Sequence, residues 1–271
     1  MLKDALAESL KPKKWSILSM INKKIVFEIA KKTTAKIKIN LSENMLRHEI
    51  VEHLRGSGNI GIELGVAEGV YSKRMMNSNK FARFFGVDVY SDTHDTTEYK
   101  RAIKYVGLSD SRYTLLRMTF EDALDLFEDE YFDYIYIDGF AHTGEEGGKS
   151  LIDWHRKLKV GGIFAGDDYH DDWPLVKWAV NDFANQLGTD VTVTSREEDS
   201  VWSSYPSWFI IKPNDGIVPS LDEQLYKIAM TEKKRIHNKR NGRRVKYQQM
   251  IGKILKAFGL KQAVLNVMRH F

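Results

Sequence analysis

The sequence has no cysteine and only five prolines among its 271 residues. Without cysteine there can be no disulfide and no thiolate-held metal, which suits a reducing compartment, and a cytoplasmic location is expected. No apolar run approaches the roughly 18 residues that a membrane span needs. The stretch Met1 to Lys14 mixes charges with apolar residues and has no signal-peptide core. Also missing is the G-x-G-x-x-G turn that cradles a pyrophosphate, which argues against a nicotinamide dehydrogenase. There is no internal repeat, no low-complexity segment and no nucleic-acid-binding signature beyond charge.

What is present is an ordinary globular composition, 42% hydrophobic, in a chain long enough for one α/β domain plus flanking segments. The charge is unevenly placed. Residues 222–271 carry thirteen Lys and Arg against three Asp and Glu, a net +10, so the remainder is net −6. Within that tail Met250, Ile251, Ile254, Leu255, Phe258, Val264, Leu265 and Met268 recur at helical spacing between lysines. Such a helix packs on its own body or on a second copy, so a homo-oligomer is expected; contact with an anionic surface is the alternative.

Between these ends, apolar runs alternate with amphipathic stretches. Strands are expected at 59–64, 83–89, 112–118, 133–138, 162–166, 191–195 and 208–212. Helices are expected at 44–54, 70–77, 97–105, 120–127, 145–158 and 173–187, with Gly161-Gly162 as a stop after the fifth. The first five strands alternate with helices and should be parallel; one of the last two should be antiparallel. The division expected is a leader over 1–43, a catalytic domain over 44–213 and a basic helical extension over 214–271.

The first strand runs into Glu63-Leu64-Gly65-Val66-Ala67-Glu68-Gly69-Val70-Tyr71-Ser72 and opens a helix. Gly65 permits backbone angles that a Cβ forbids and lets a ligand lie against the turn. Glu63 at the strand tip can accept hydrogen bonds. The next strand ends Gly86-Val87-Asp88, where nucleoside-binding α/β folds place an acid for ribose hydroxyls. Together these elements resemble the S-adenosylmethionine site of class I methyltransferases. The resemblance covers roughly residues 44–213. It implies a Rossmann-like sheet of seven strands, mostly parallel, with a terminal antiparallel hairpin and helices on both faces. It also implies that Gly65 lies against the amino-acid end of the cofactor, that Glu63 faces the methionine end or orders the turn, that Gly69 and Ser72 belong to the same cofactor site, that Asp88 holds the ribose, and that Glu121 or Asp122 approaches the adenine. Thr119 is equally suited to cap the following helix.

Two later strands end Ile137-Asp138-Gly139 and Gly166-Asp167-Asp168-Tyr169. In a parallel sheet these carboxyl ends adjoin, bringing Asp138, Asp167 and Asp168 close to one point. Three unneutralised carboxylates repel one another, and a hard divalent cation, Mg²⁺ or else Mn²⁺ or Ca²⁺, would relieve this; the alternative is that one Asp faces solvent. The run Ile137-Asp138-Gly139-x-x-His142, a helix, then Gly161-Gly162 and Asp167-Asp168-Tyr169 is similar to metal-dependent O-methyltransferases. The nearest pattern is the branch that methylates sugar hydroxyls, of the macrocin and aminocoumarin kind, together with cephalosporin-hydroxylase-associated proteins. Catechol methyltransferases place Asn where this chain has Asp168 and Lys where it has Ala141. The resemblance implies methyl transfer to a hydroxyl of a small sugar-like acceptor, with Asp138, His142 or His170 as base. Asp138 would also face the cofactor. Trp202 and Tyr205 are candidates to stack on the acceptor, Trp178 and Trp208 are candidates for the core, and 92–98 is a candidate lid. The competing readings are a metal-free methyltransferase and a non-catalytic partner subunit with this fold.

Overall fold

The computed structural model describes residues 14–34, 36–91, 94–195, 204–214 and 216–257. The chain divides into two units, one ending at Ala229 and one beginning at Met230. The first is built on a single sheet of eight strands: β1 (Ile39–Ser42), β2 (Asn59–Leu64), β3 (Phe81–Val87), β4 (Tyr113–Leu116), β5 (Phe132–Ile137), β6 (Leu158–Gly166), β7 (Val191–Thr194) and β8 (Trp208–Ile211). Their spatial order is β1-β7-β8-β6-β5-β2-β3-β4. Strands β2 to β6 pair in parallel, and β8 runs antiparallel to both β6 and β7. The count is eight rather than seven because β1 adds in parallel to the edge of β7.

The central strands are buried on both faces, which explains their nearly continuous apolar sequences. The period of two sorts β5 cleanly. Ile135 and Ile137 enter a core shared with Trp154, Val176 and Trp208, while Tyr134 and Tyr136 enter one shared with Ile50, Tyr71 and Met75. Helices α1 (Lys14–Thr34), α5 (Lys149–His155) and α6 (Pro174–Gln186) supply the first layer, with Val26 and Ala30 of α1 buried in it. A 3₁₀ turn at Arg47–His53 and helix α2 (Val70–Asn77) supply the second. The remaining helices are α3 (Thr96–Ala102), which continues as a π turn over Ile103–Gly107, α4 (Phe120–Leu124) and α7 (Glu223–Ala257). Leu225 and Ala229 of α7 are buried in the first unit.

Two expected helices are built differently. Within 44–54, Arg47–His53 fold as the 3₁₀ turn and no α-helix forms. The stretch expected as one helix over 145–158 opens on a left-handed turn: Gly144, Glu145, Glu146, Gly147 and Gly148 all have φ between 53° and 84°. A Cβ on Gly144 would meet the Leu175 carbonyl oxygen at 2.4 Å, so the turn packs against the start of α6. Helix α5 then stops at His155, and β6 already begins at Leu158. The Gly161-Gly162 pair therefore lies inside a strand, where Gly161 (φ 74°) donates to the Lys212 carbonyl, and is no helix stop.

Candidate active site

Chain direction reverses its progress across the sheet between β2 and β5. From β2 the chain moves outward to β3 and β4, then returns to place β5 on the other side of β2. The carboxyl edge at such a switch point opens a crevice. Here the Asp138 amide donates to the Leu64 carbonyl at 2.8 Å, and the Gly65 amide donates to the Val87 carbonyl at 2.9 Å. Gly65 adopts φ 100°, and a Cβ there would stand 2.0 Å from the Asp138 carbonyl oxygen. The glycine is thus required by its own neighbour strand.

A cavity of about 270 Å³ opens at this point, walled by Arg47, Glu63, Gly65, Glu68, His94, Asp138, Asp167, Asp168 and Tyr205, among others. Strain gathers around it. Ala67, Tyr90, Glu145 and Asp168 are all non-glycine residues with φ between 48° and 64°. Such conformations cost energy and persist where surrounding contacts over-determine them.

Arg47 organises the acidic side. Its Nη1 donates to Asp167 Oδ2 at 3.0 Å and to Asp138 Oδ2 at 3.3 Å. The guanidinium lies 5.2 Å from the ring centroid of Tyr71, and the side chain is only 5% exposed. Asp167 also accepts from Ser207 Oγ at 2.9 Å, and that hydroxyl is 2.9 Å from Tyr136 Oη. Burial pushes the Asp138 and Asp167 carboxyls upward, while Arg47 opposes the shift at both and Ser207 does so at Asp167. Asp168 makes no side-chain hydrogen bond or ion pair among the described residues; burial and the two neighbouring aspartates push it up to about 8. Glu63 is buried beneath the turn against the Ser72 hydroxyl, and burial raises it well above the usual carboxylate range.

The three aspartates share the cavity wall, but they do not form the expected cation site. Among the described residues no group of three His, Cys, Asp or Glu side chains converges to hold a metal. The space between Asp138 and Asp167 is taken by the guanidinium, so the residues as arranged do not fit Mg²⁺, Mn²⁺ or Ca²⁺.

The expected cofactor residues divide into two groups. Glu63, Gly65 and Asp138 line the cavity. Asp88 does not. It is 4% exposed and folds inward, with Oδ2 accepting from the Val66 and Ala67 amides at 3.0 and 3.1 Å and Oδ1 from the Tyr90 amide at 3.0 Å. Ser72 is fully buried between Glu63 and Tyr113. Gly69 (φ 81°) starts α2 and packs on Val106 and Ala102. Asp122 hydrogen-bonds Thr119, which caps α4, and Glu121 is 81% exposed near Lys149.

Of the expected bases, His142 is exposed with its ring edge-on to Trp173 at 4.8 Å. His170 lies 4.9 Å from the ring of Tyr205 and 3.6 Å from Asp172. Neither is on the cavity wall. His94, whose Nδ1 is 3.1 Å from Glu98, is there instead. Trp178 and Trp208 are core residues as expected; Trp202, Asp92 and Thr93 lie outside the described residues, as do Phe258, Val264, Leu265 and Met268 of the tail.

Sequence reasoning missed Arg47, Tyr71 and Ser207, and reached His94 only as part of the candidate lid 92–98. The one usable signal was an imbalance: three carboxylates at adjoining strand ends require a positive partner, and a cationic side chain can supply it as well as a metal can.

No curated protein matches the chain in sequence. Residues 62–169 match the family model of a methyltransferase domain. Similar solved structures include a candidate O-methyltransferase from Klebsiella pneumoniae, at 16% identity and TM-score 0.46, over 78% of this chain and 96% of that one. Spermidine synthase from Thermotoga maritima gives 18% identity and TM-score 0.47, over 65% and 62%. An S-adenosylmethionine-dependent methyltransferase from Mesorhizobium loti gives 19% and 0.35, over 44% and 53%. With the matched segment running from β2 to just past β6 and holding the switch point within it, the chain has the mixed α/β, Rossmann-like methyltransferase fold.

Proposed function

We propose that this protein transfers a methyl group from S-adenosylmethionine to a hydroxyl of a small, sugar-like or polyhydroxylated acceptor. The observation that carries the reading is the acid-lined cavity at the switch point, all of whose wall carboxyls come from the segment that matches a methyltransferase domain. Glu63, Glu68, Asp138, Asp167 and Asp168 on its wall outnumber Arg47 and His94. These carboxyls, several of them pushed toward the protonated form by burial, offer acceptors to a ligand bearing a sulfonium and an ammonium, and its positive charge would favour their ionised forms. When bound, the cofactor supplies an electrophilic methyl group.

The chain's own residues account for the rest. The Gly65 turn offers bare backbone to the amino-acid end of the ligand. Asp168 takes the acceptor's proton: its carboxyl has no side-chain partner among the described residues, faces the cavity and is poised near neutrality. Tyr205 and His94 at the wall bound the space for the acceptor, and Tyr205 offers a ring on which a sugar can stack. Much of the rate comes from holding the two partners in line. The same excess of carboxylates favours a second reading, in which the acceptor is an amine.

Calorimetric titration of the full chain with S-adenosylhomocysteine tests this. Saturable 1:1 binding in the micromolar range, about −8 kcal/mol, is expected. No saturable heat at millimolar product would overturn the reading.

A further inference from the structure

We propose that Arg47 is the resident cation of this crevice, filling with a guanidinium the position between Asp138 and Asp167 that a divalent ion would otherwise take. The backbone on either side of Arg47 is firmly held. The chain leaves β1, which is tied to β7 along four residues. It then enters the 3₁₀ turn, whose start is fixed by the Leu46 amide donating to Glu49 Oε2 at 2.8 Å. Ile50 and Val51 of that turn are at most 1% exposed. Arg47 is therefore delivered to the aspartates by an anchored backbone.

Its chemistry fits the position. One nitrogen bridges two carboxylates that arrive on neighbouring strands, which is the contact pattern a bridging cation would make. The Tyr71 ring covers the guanidinium from one side. A divalent ion entering here would have to expel a buried, permanently charged side chain or sit beside it, and both are opposed electrostatically. Asp168 makes no ion pair with Arg47, so the third carboxylate stays available for other work. The guanidinium's Nε is buried with no hydrogen-bond partner among the described residues, a cost that its two aspartate contacts offset.

Although this concerns the crevice of the proposed methyl transfer, its test needs no turnover and can fail or succeed separately from that reading. Mn²⁺ binding to the full chain is followed by electron paramagnetic resonance. The native protein is expected to bind no Mn²⁺ at this site at up to millimolar concentration. Arg47→Met should create a site at least tenfold tighter than anything in the native protein, and adding Asp167→Asn should remove it. Arg47→Lys keeps a cation and should remain free of Mn²⁺, which covers the case in which the methionine variant does not fold. A native site that is lost in Asp167→Asn would overturn the proposal, and so would a folded Arg47→Met that gains none.

Discussion

The α-carbon of Gly65 faces the carbonyl of Asp138 so closely that a Cβ would stand 2.0 Å from that oxygen. The two residues end neighbouring strands, and their contact sets the floor of the crevice. Gly65→Ala must both force the two residues apart and hold φ 100° with a side chain, so a loss of about 2–5 kcal/mol is expected in urea denaturation. Gly188→Ala is the control. Gly188 also has positive φ, but a Cβ there would meet nothing within 4 Å, and strain alone should cost about 1–2 kcal/mol.

Asp88 gives a prediction that separates bracing from ligand contact. Its carboxylate satisfies three backbone amides of the Gly65 turn and of the chain after β3. Asp88→Ala should therefore destabilise the protein without any ligand, by about 2–4 kcal/mol. Asp88→Asn keeps an acceptor and should lose less. Thermal melts of the ligand-free variants check this; an unchanged midpoint in Asp88→Ala would return the residue to a purely ligand-binding role.

Asp168 should make stability and activity respond to pH in opposite directions. Its carboxyl is raised from 3.8 to about 8, so the folded protein holds a proton there that the unfolded chain releases. That contribution is fully present below about pH 4 and is lost as pH rises through about 8. Proton removal from an acceptor needs the ionised form, so methyl transfer should increase over the upper part of the same range. Denaturation midpoints and initial rates from pH 5 to 9 measure both trends. Asp168→Asn should make the first shallower, with Asp138 and Glu63, also raised by burial, supplying what remains, and should abolish most of the second.

Asn181 ties α1 to the sheet's helical layer. It accepts from Tyr169 Oη at 2.7 Å and donates to Thr34 Oγ1 at 2.9 Å, and it is fully buried. Asn181→Ala should cost about 2–3 kcal/mol by removing the acceptor of the tyrosine hydroxyl and the donor to Thr33 and Thr34, and limited proteolysis should then cut first within α1. Cleavage elsewhere would mean that α1 is held by its apolar contacts alone.

The sequence was informative where structure is set locally. Strand β2 and helix α2 fall on the expected residues, 59–64 and 70–77, because an apolar run, a glycine turn and a helical period follow in direct succession. The left-handed turn at Gly144–Gly147 was hidden because Glu145 and Glu146 are good helix formers, and packing of its glycines against Leu175 and Tyr226 selects the other hand. Arg47 was out of reach for a different reason. Its partners lie 91 and 120 residues further along the chain, and nothing near it in sequence announces them. Asp88 was correctly expected at a strand end, but which way its carboxylate turns depends on the loop that it braces.

What occupies the crevice between Gly65 and Asp168 bears most directly on the proposed methyl transfer. A crystal structure of the full chain with S-adenosylhomocysteine decides it. We predict the amino-acid end of the product against the Gly65 turn and Asp138, its sulfur on the side of Asp168 and Tyr205, and Arg47 still bridging Asp138 and Asp167. Product bound away from this crevice, or a crevice left empty at saturating product, would contradict it.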